Sequence, residues 1–164
     1  MSADVKLGAH FAHPTLQVSM LLPDDWTASE VAPNHVRFFG PPHPEADEYR
    51  PTFSIAVHRP DGFGDEWFEQ FCTASVERLQ QSSDDFTLRS IDRFPLSSLV
   101  DVHATWYDWQ AGPDHRSSQL QALIAMDMFR LYLINAATRT ELAERYLPVF
   151  DAVLRSIRLL PAPG

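Results

Sequence analysis

Internal disulfides are excluded at once, because the 164 residues include one cysteine, Cys72. A lone thiol suits a reducing compartment. Long apolar runs are missing too, and none approaches the roughly 20 residues that cross a bilayer as a helix. Residues 1–13 have neither the basic start nor the apolar stretch of a secretory signal, so a cytoplasmic location is expected. Positive charge is scarce: 13 Lys and Arg face 22 Asp and Glu, for a net charge of −9. That average field repels a phosphate backbone, and the Arg residues are scattered, which argues against a nucleic-acid partner. The same charge favours solubility and steers the chain toward basic partner surfaces.

Catalytic and cofactor motifs are also missing. There is no His-Glu-x-x-His, no paired Cys-x-x-Cys and no Gly-x-Ser-x-Gly. Gly62-Phe63-Gly64 precedes a helical pattern, but Asp61, Asp65 and Glu66 place negative charge there, which suits a helix start and not an anion site. No cofactor and no metal is expected. What the chain does have is core-forming material, with 45% apolar and 12% aromatic residues. That suffices for one domain over residues 1–164, with an ordered core of about 14–160.

Periodicity orders the chain. Leu16, Val18, Met20 and Leu22 alternate with polar residues, which predicts a strand ended by Pro23-Asp24-Asp25. Trp26 is expected to fold back over the sheet end. A short strand over 35–40 meets Pro41-Pro42-His43-Pro44, which is neither helix nor central strand. Phe53, Ile55 and Val57 form the apolar face of a third strand. Residues 61–64 break the chain, and Trp67, Phe68, Phe71, Cys72, Val76 and Leu79 then recur at helical spacing.

Four strands follow, over 86–94, 100–110, 117–126 and 129–137. Residues 95–99, 111–114 and 127–128 supply the turns. The last strand is apolar on both parities, as in a strand covered on both faces. Thr138 or Thr140 caps a final helix, Thr138 and Glu141 having capping-box spacing. Its buried stripe includes Tyr146, Phe150, Val153 and Leu154, and Pro148 is expected to kink it or delay its start. The predicted order is β-β-β-α-β-β-β-β-α, an α+β fold with an antiparallel sheet of six to seven strands and two main helices.

This order resembles the PsbP-like superfamily, which includes PsbP, the Ran-binding Mog proteins and the bacterial DcrB-like and LpqN-like proteins. The resemblance rests on Leu21-Leu22-Pro23-Asp24-Asp25-Trp26, on Val36-Arg37-Phe38-Phe39-Gly40 and on Phe53-Ser54-Ile55-Ala56-Val57 leading into a helix. A four-strand meander and a C-terminal helix ending in Leu154-Arg155-Ser156-Ile157 complete it. It spans nearly the whole chain as an order of elements. It implies an α/β/α sandwich and a non-enzymatic binding or assembly role. The lipoprotein signal of many bacterial relatives is not seen here.

Three functional readings compete. The first is recognition of a protein partner through an aromatic-lined sheet face or sheet end. Trp106, Tyr107 and Trp109 sit on one strand, and alternation sends Tyr107 and Trp109 away from Trp106. Trp26, His103, Tyr107 and Trp109 are therefore the candidate binding residues, as core rings or as contact surface. A homodimer would use such a surface equally well. The second reading lines a pocket for a small apolar or lipid-like ligand with the same rings. The third is an enzyme built on Asp101, His103 and Tyr107, which share one parity. Among seven histidines, His10 and His13 are three apart but show no helical pattern. Cys72 falls on the apolar stripe of the first helix, where a buried, inert thiol is expected.

Overall fold

The computed structural model describes residues 5–59, 67–97, 100–127 and 130–160. Strand β1 (Ala9–His13) and β2 (Val18–Leu22) open the chain, followed by β3 (Thr27–Ala32), β4 (His35–Phe39) and β5 (Thr52–His58). Helix α1 (Trp67–Ser82) crosses to a meander of β6 (Thr87–Ser97), β7 (Val100–Gly112), β8 (His115–Asp127) and β9 (Arg130–Arg139). A 3-10 turn, Thr140–Leu142, leads into α2 (Ala143–Ser156), and β10 (Arg158–Leu159) closes the described chain. The main sheet has seven strands in the order β3-β4-β5-β9-β8-β7-β6, all neighbours antiparallel. A second sheet, β1-β2-β10, packs beside it.

The α+β class and the antiparallel sheet are as the periodicity implies. Three strands are additions, β1, β3 and the two-residue β10. β1 and β3 lack clean alternation: β3 reads Thr-Ala-Ser-Glu-Val-Ala and is almost wholly exposed, so only backbone pairing to β4 makes it a strand. The strand expected over 16–22 exists as β2, but it belongs to the small sheet. Pro95 does not turn the chain; β6 runs through it, which an edge strand tolerates. The breaker at 61–64 and the acidic first turn at 65–66 lie outside the described residues, as does part of the turn expected at 127–128.

The capping box does not form. Thr138 is still in β9, fully buried, and its hydroxyl has no hydrogen-bond partner among the described residues. The sheet ladder to Ser118 holds this residue extended, so it cannot adopt a cap. The helix starts late, at Ala143, and Pro148 stands inside it. Pro148 removes the hydrogen bond to the Glu144 carbonyl, so α2 relies on its packed stripe more than on its own ladder.

Register divides the main sheet into two unlike faces. Phe38, Phe53, Ala136, Leu120 and Trp106 are opposed in one row, and Val36, Ile55, Ile134, Ala122 and Ala104 in the next. All are buried, under Tyr146, Phe150, Val153 and Leu154 of α2 and the β2 residues Val18 and Met20. The Tyr132 hydroxyl donates to the Leu16 carbonyl at 2.7 Å, and Leu21 N–H donates to Ser156 Oγ at 2.9 Å. These bonds tie the small sheet and α2 onto the same side.

The opposite face is polar and only partly covered. Thr105, Gln121, Asn135, Ser54 and Arg37 are opposed across it. Thr105 is 1% exposed, Gln121 is half-buried, and Asn135 and Arg37 are exposed. Helix α1 therefore roofs the β6–β7 side and leaves the β9–β5–β4 side open. Arg93 of β6 pins it through a two-point pair with Glu69, at 2.5 and 2.8 Å. The last meander strand is covered on both faces near its start and on one face farther along: Leu131 is buried and Asn135 is open.

Candidate functional site

The four candidate residues do not form one surface. Tyr107 points to the α1 side, is 5% exposed and stacks on Phe86 with centroids 5.2 Å apart. Burial pushes its phenol up to about 12. It is a core ring. His103 is also buried beneath α1, and burial first, then Arg93, lowers its pKa. Trp26 lies on the other side of the sheet, edge-on to Tyr146 and Phe150. Trp109 is the one of the four that remains half-buried on the α1-side face.

Trp26 does fold back over the sheet end, and Gly40 permits it. A Cβ at Gly40 would stand 2.6 Å from the Pro51 ring and 3.1 Å from the indole. With Tyr146, Val149 and Pro41, Trp26 lines an open cleft of about 220 Å³ rimmed by Lys6, Asp25 and Arg145. Behind it, the proline-rich loop turns inward at His43, which is buried. Its Nε2 accepts from the Tyr146 hydroxyl at 2.5 Å, and its Nδ1 meets Glu45 Oε1 at 2.8 Å. A backbone hydrogen bond, reinforced by His43, lowers the Glu45 pKa, and burial raises that of Tyr146. Sequence reading missed this tie, because three prolines around His43 hide its inward turn.

The enzyme reading asked for Asp101, His103 and Tyr107 together. His103 and Tyr107 stand two rows apart, roughly 13 Å along the strand, with Thr105 between them. Asp101 is exposed. Cys72 is buried, and burial pushes its thiol up to about 12, so it is held as a neutral thiol. Among the described residues, no group of three His, Cys, Asp or Glu side chains could hold a metal ion. Nor is any described helix long and apolar enough to cross a membrane.

The open end of the α1-side face gathers a different set. Trp109, Ser117 and Arg139 are opposed in one row, and Gln119, Ala137, Thr52 and Phe39 in the next. The Arg139 guanidinium lies over the Tyr49 ring at 5.3 Å, and that of Arg50 over Phe39 at 5.4 Å. Tyr49 donates to the Ala137 carbonyl at 3.2 Å, which seats its ring at the sheet end. Asp47 and Glu48, both left-handed with φ of 57° and 61°, turn the chain tightly before Tyr49. Two non-glycine residues in that region cost of order 1–3 kcal/mol each, and such strain gathers at functional corners. Among the described residues Trp109 Nε1 and Arg139 Nε have no hydrogen-bond partner.

Further along the face, His35 has Arg37 and His58 as neighbours; burial, then Arg37 and His58, lowers the His35 pKa. Among the described residues Arg37 makes no ion pair. Alternation had flagged Trp109; Tyr49 and Arg50 carry no periodic signal and are placed by the loop, and Arg139 ends β9.

No family model matches the sequence, and no curated relative does. Solved structures do match. LpqN of Mycobacterium tuberculosis, described as involved in cell envelope biogenesis, has a TM-score of 0.66 at 13% identity, over 88% of this chain and 83% of LpqN. The cyanobacterial PsbP of Synechocystis scores 0.61 at 14% identity, over 92% and 91%. The Ran-binding protein Mog1p of Saccharomyces cerevisiae scores 0.59 at 13% identity, over 94% and 97%. This chain spans about half the length of a further match from Bacteroides thetaiotaomicron. The chain has the PsbP-like fold.

Proposed function

We propose that this PsbP-like domain is a non-enzymatic binding module that recognises a protein partner through the open, α1-side half of its sheet. One observation carries the reading. A face with Trp, Tyr, Phe and Arg side chains is left uncovered by its own helix, while the centre of the other face is packed under α2. Those are the residue types that dominate interface energetics. Tyr49 is held by its bond to the Ala137 carbonyl and by Arg139 over its ring, and Phe39 by Arg50, so little ordering entropy is lost there on contact. The surface carries Arg37, Arg50 and Arg139, the last paired with Asp47 and Glu141, in a chain of net charge −9. An acidic or amide-rich partner segment suits it. That one of the similar proteins is a Ran-binding protein supports a protein partner as the class, without naming it.

The contact surface is thus the sheet end with Trp109, and neither Tyr107 nor His103, which α1 covers. The ligand-carrier reading needs an enclosed pocket. Phe38, Phe53, Phe150 and Tyr132 instead fill the space beneath α2, and the Trp26 cleft opens to solvent.

The test is partner retention by variants of the two faces. Arg37→Glu and Trp109→Ala are each expected to weaken retention by roughly tenfold. Glu144→Arg, on the exposed side of α2, leaves it unchanged. Retention indifferent to both open-face variants overturns the reading. A concentration-dependent dimer lost in the same variants identifies the partner as a second copy.

A further inference from the structure

The seven-stranded sheet has a second unpaired feature, its edge. β6 is a terminal strand of 11 residues, and no other described strand pairs with its outer side. Bulges interrupt its pairing to β7 between Leu88 and Ser90 and between Pro95 and Ser97. Such bulges, with the missing N–H of Pro95, guard the two ends of the edge. Between them, Ser90–Phe94 is a regular run whose outward N–H and C=O groups have no strand beside them.

Side chains on the two faces of this run are specific. On the α1 side Leu88 and Ile91 are 43% and 44% exposed, two of the large apolar residues left in water. On the α2 side Ser90 and Asp92 border a groove of about 360 Å³ floored by Trp106 and Leu147. Its arginines are already matched. Arg89 donates to Asp108 at 2.7 Å, and Arg155 pairs with Asp151 at 3.1 Å while lying over Phe94. Asp92 alone of the groove's charges makes no ion pair among the described residues.

We infer that the Ser90–Phe94 edge is a β-addition site for an extended peptide with one Lys or Arg flanked by apolar residues. Main-chain pairing along the edge supplies the hydrogen bonds. Strand alternation sends the basic side chain into the groove, where its stem covers Trp106 and Leu147 and its head reaches Asp92. The flanking residues cover Leu88 and Ile91. A second copy of β6 does not fit: it would present Ser90 and Asp92 to the groove, a hydroxyl and a like charge. The site lies apart from the open sheet end and does not rest on that reading.

The probe is a nine-residue peptide of alternating valine and threonine with one central lysine. Its binding to the whole chain is followed by fluorescence anisotropy, and its footprint by amide exchange. Protection is expected within residues 90–94. Replacing the central lysine by glutamate weakens binding about fivefold or more, and Asp92→Lys reverses that preference. N-methylation of the peptide's pairing amides abolishes binding. Arg37→Glu and Trp109→Ala leave it unchanged, which separates this site from the partner surface. A lysine peptide that binds equally well to Asp92→Lys, or protection falling outside β6, overturns the inference. So does failure of the lysine peptide to bind at all.

Discussion

The two faces of one sheet are built from the same strands and meet opposite fates. On β5, Phe53, Ile55 and Val57 lie under α2 and are buried, while Thr52, Ser54 and Ala56 face the other way, small and largely polar. On β4, Phe38 is buried and its neighbour Phe39 is not. The helices match their faces. α2 buries Ala143, Tyr146, Phe150, Val153 and Leu154, whereas α1 buries only Cys72 and Ser75. Stability is concentrated on the α2 side because apolar area is buried there. The α1 side buries little apolar area, and half of it stays open, the half proposed as the recognition surface.

The largest test of that contrast is a truncation on each side. Phe150→Ala is expected to cost about 3–5 kcal/mol in chemical denaturation, as a fully buried ring removed from a packed core. Cys72→Ala on the α1 side costs about 1 kcal/mol or less, since it removes one small buried group. Equal losses would erase the distinction between the faces. Next comes Tyr146→Phe, which leaves His43 Nε2 buried without its donor and is expected to cost about 1–3 kcal/mol. A cost near zero would mean the His43 tie contributes nothing to holding the loop.

His103 gives a smaller, pH-dependent effect. Its folded-state pKa lies below the ordinary 6.5, first through burial and then through Arg93. The unfolded chain therefore takes up a proton first as pH falls. His103's contribution is retained above about pH 6.5 and lost below it, down to the folded-state value. His103→Gln should narrow the drop in denaturation midpoint between about pH 7.5 and pH 5.5; an unchanged drop assigns it elsewhere, with His35 the next candidate. The smallest effect is on the open face itself: Arg37→Ala is expected to shift stability by no more than about 0.5 kcal/mol. A larger loss would make Arg37 part of the scaffold.

Alternation made much of this legible. Alternation separated Trp106 from Tyr107 and Trp109, and in the structure Trp106 lies on the α2 face and the other two on the opposite one. Parity does not say how far a helix reaches across a face, so Tyr107 under the roof and Trp109 beyond it looked alike. β3 was invisible because an exposed edge needs no apolar pattern, only a neighbour to pair with. Thr138 and Glu141 had the spacing of a cap, but sheet pairing outranks a local motif. His43 was hidden by its prolines, since nothing local tells which loop residue a distant tyrosine will hold.

Photo-crosslinking from two positions compares the faces most directly. A crosslinking side chain is placed at Arg37, on the open sheet half, and in a second variant at Glu144, on the outer surface of α2. A discrete crosslinked partner from position 37, absent from position 144 and lost when Trp109→Ala is added, is the expected result. An equally strong product from position 144, or none from position 37, would contradict the assignment of recognition to the open face.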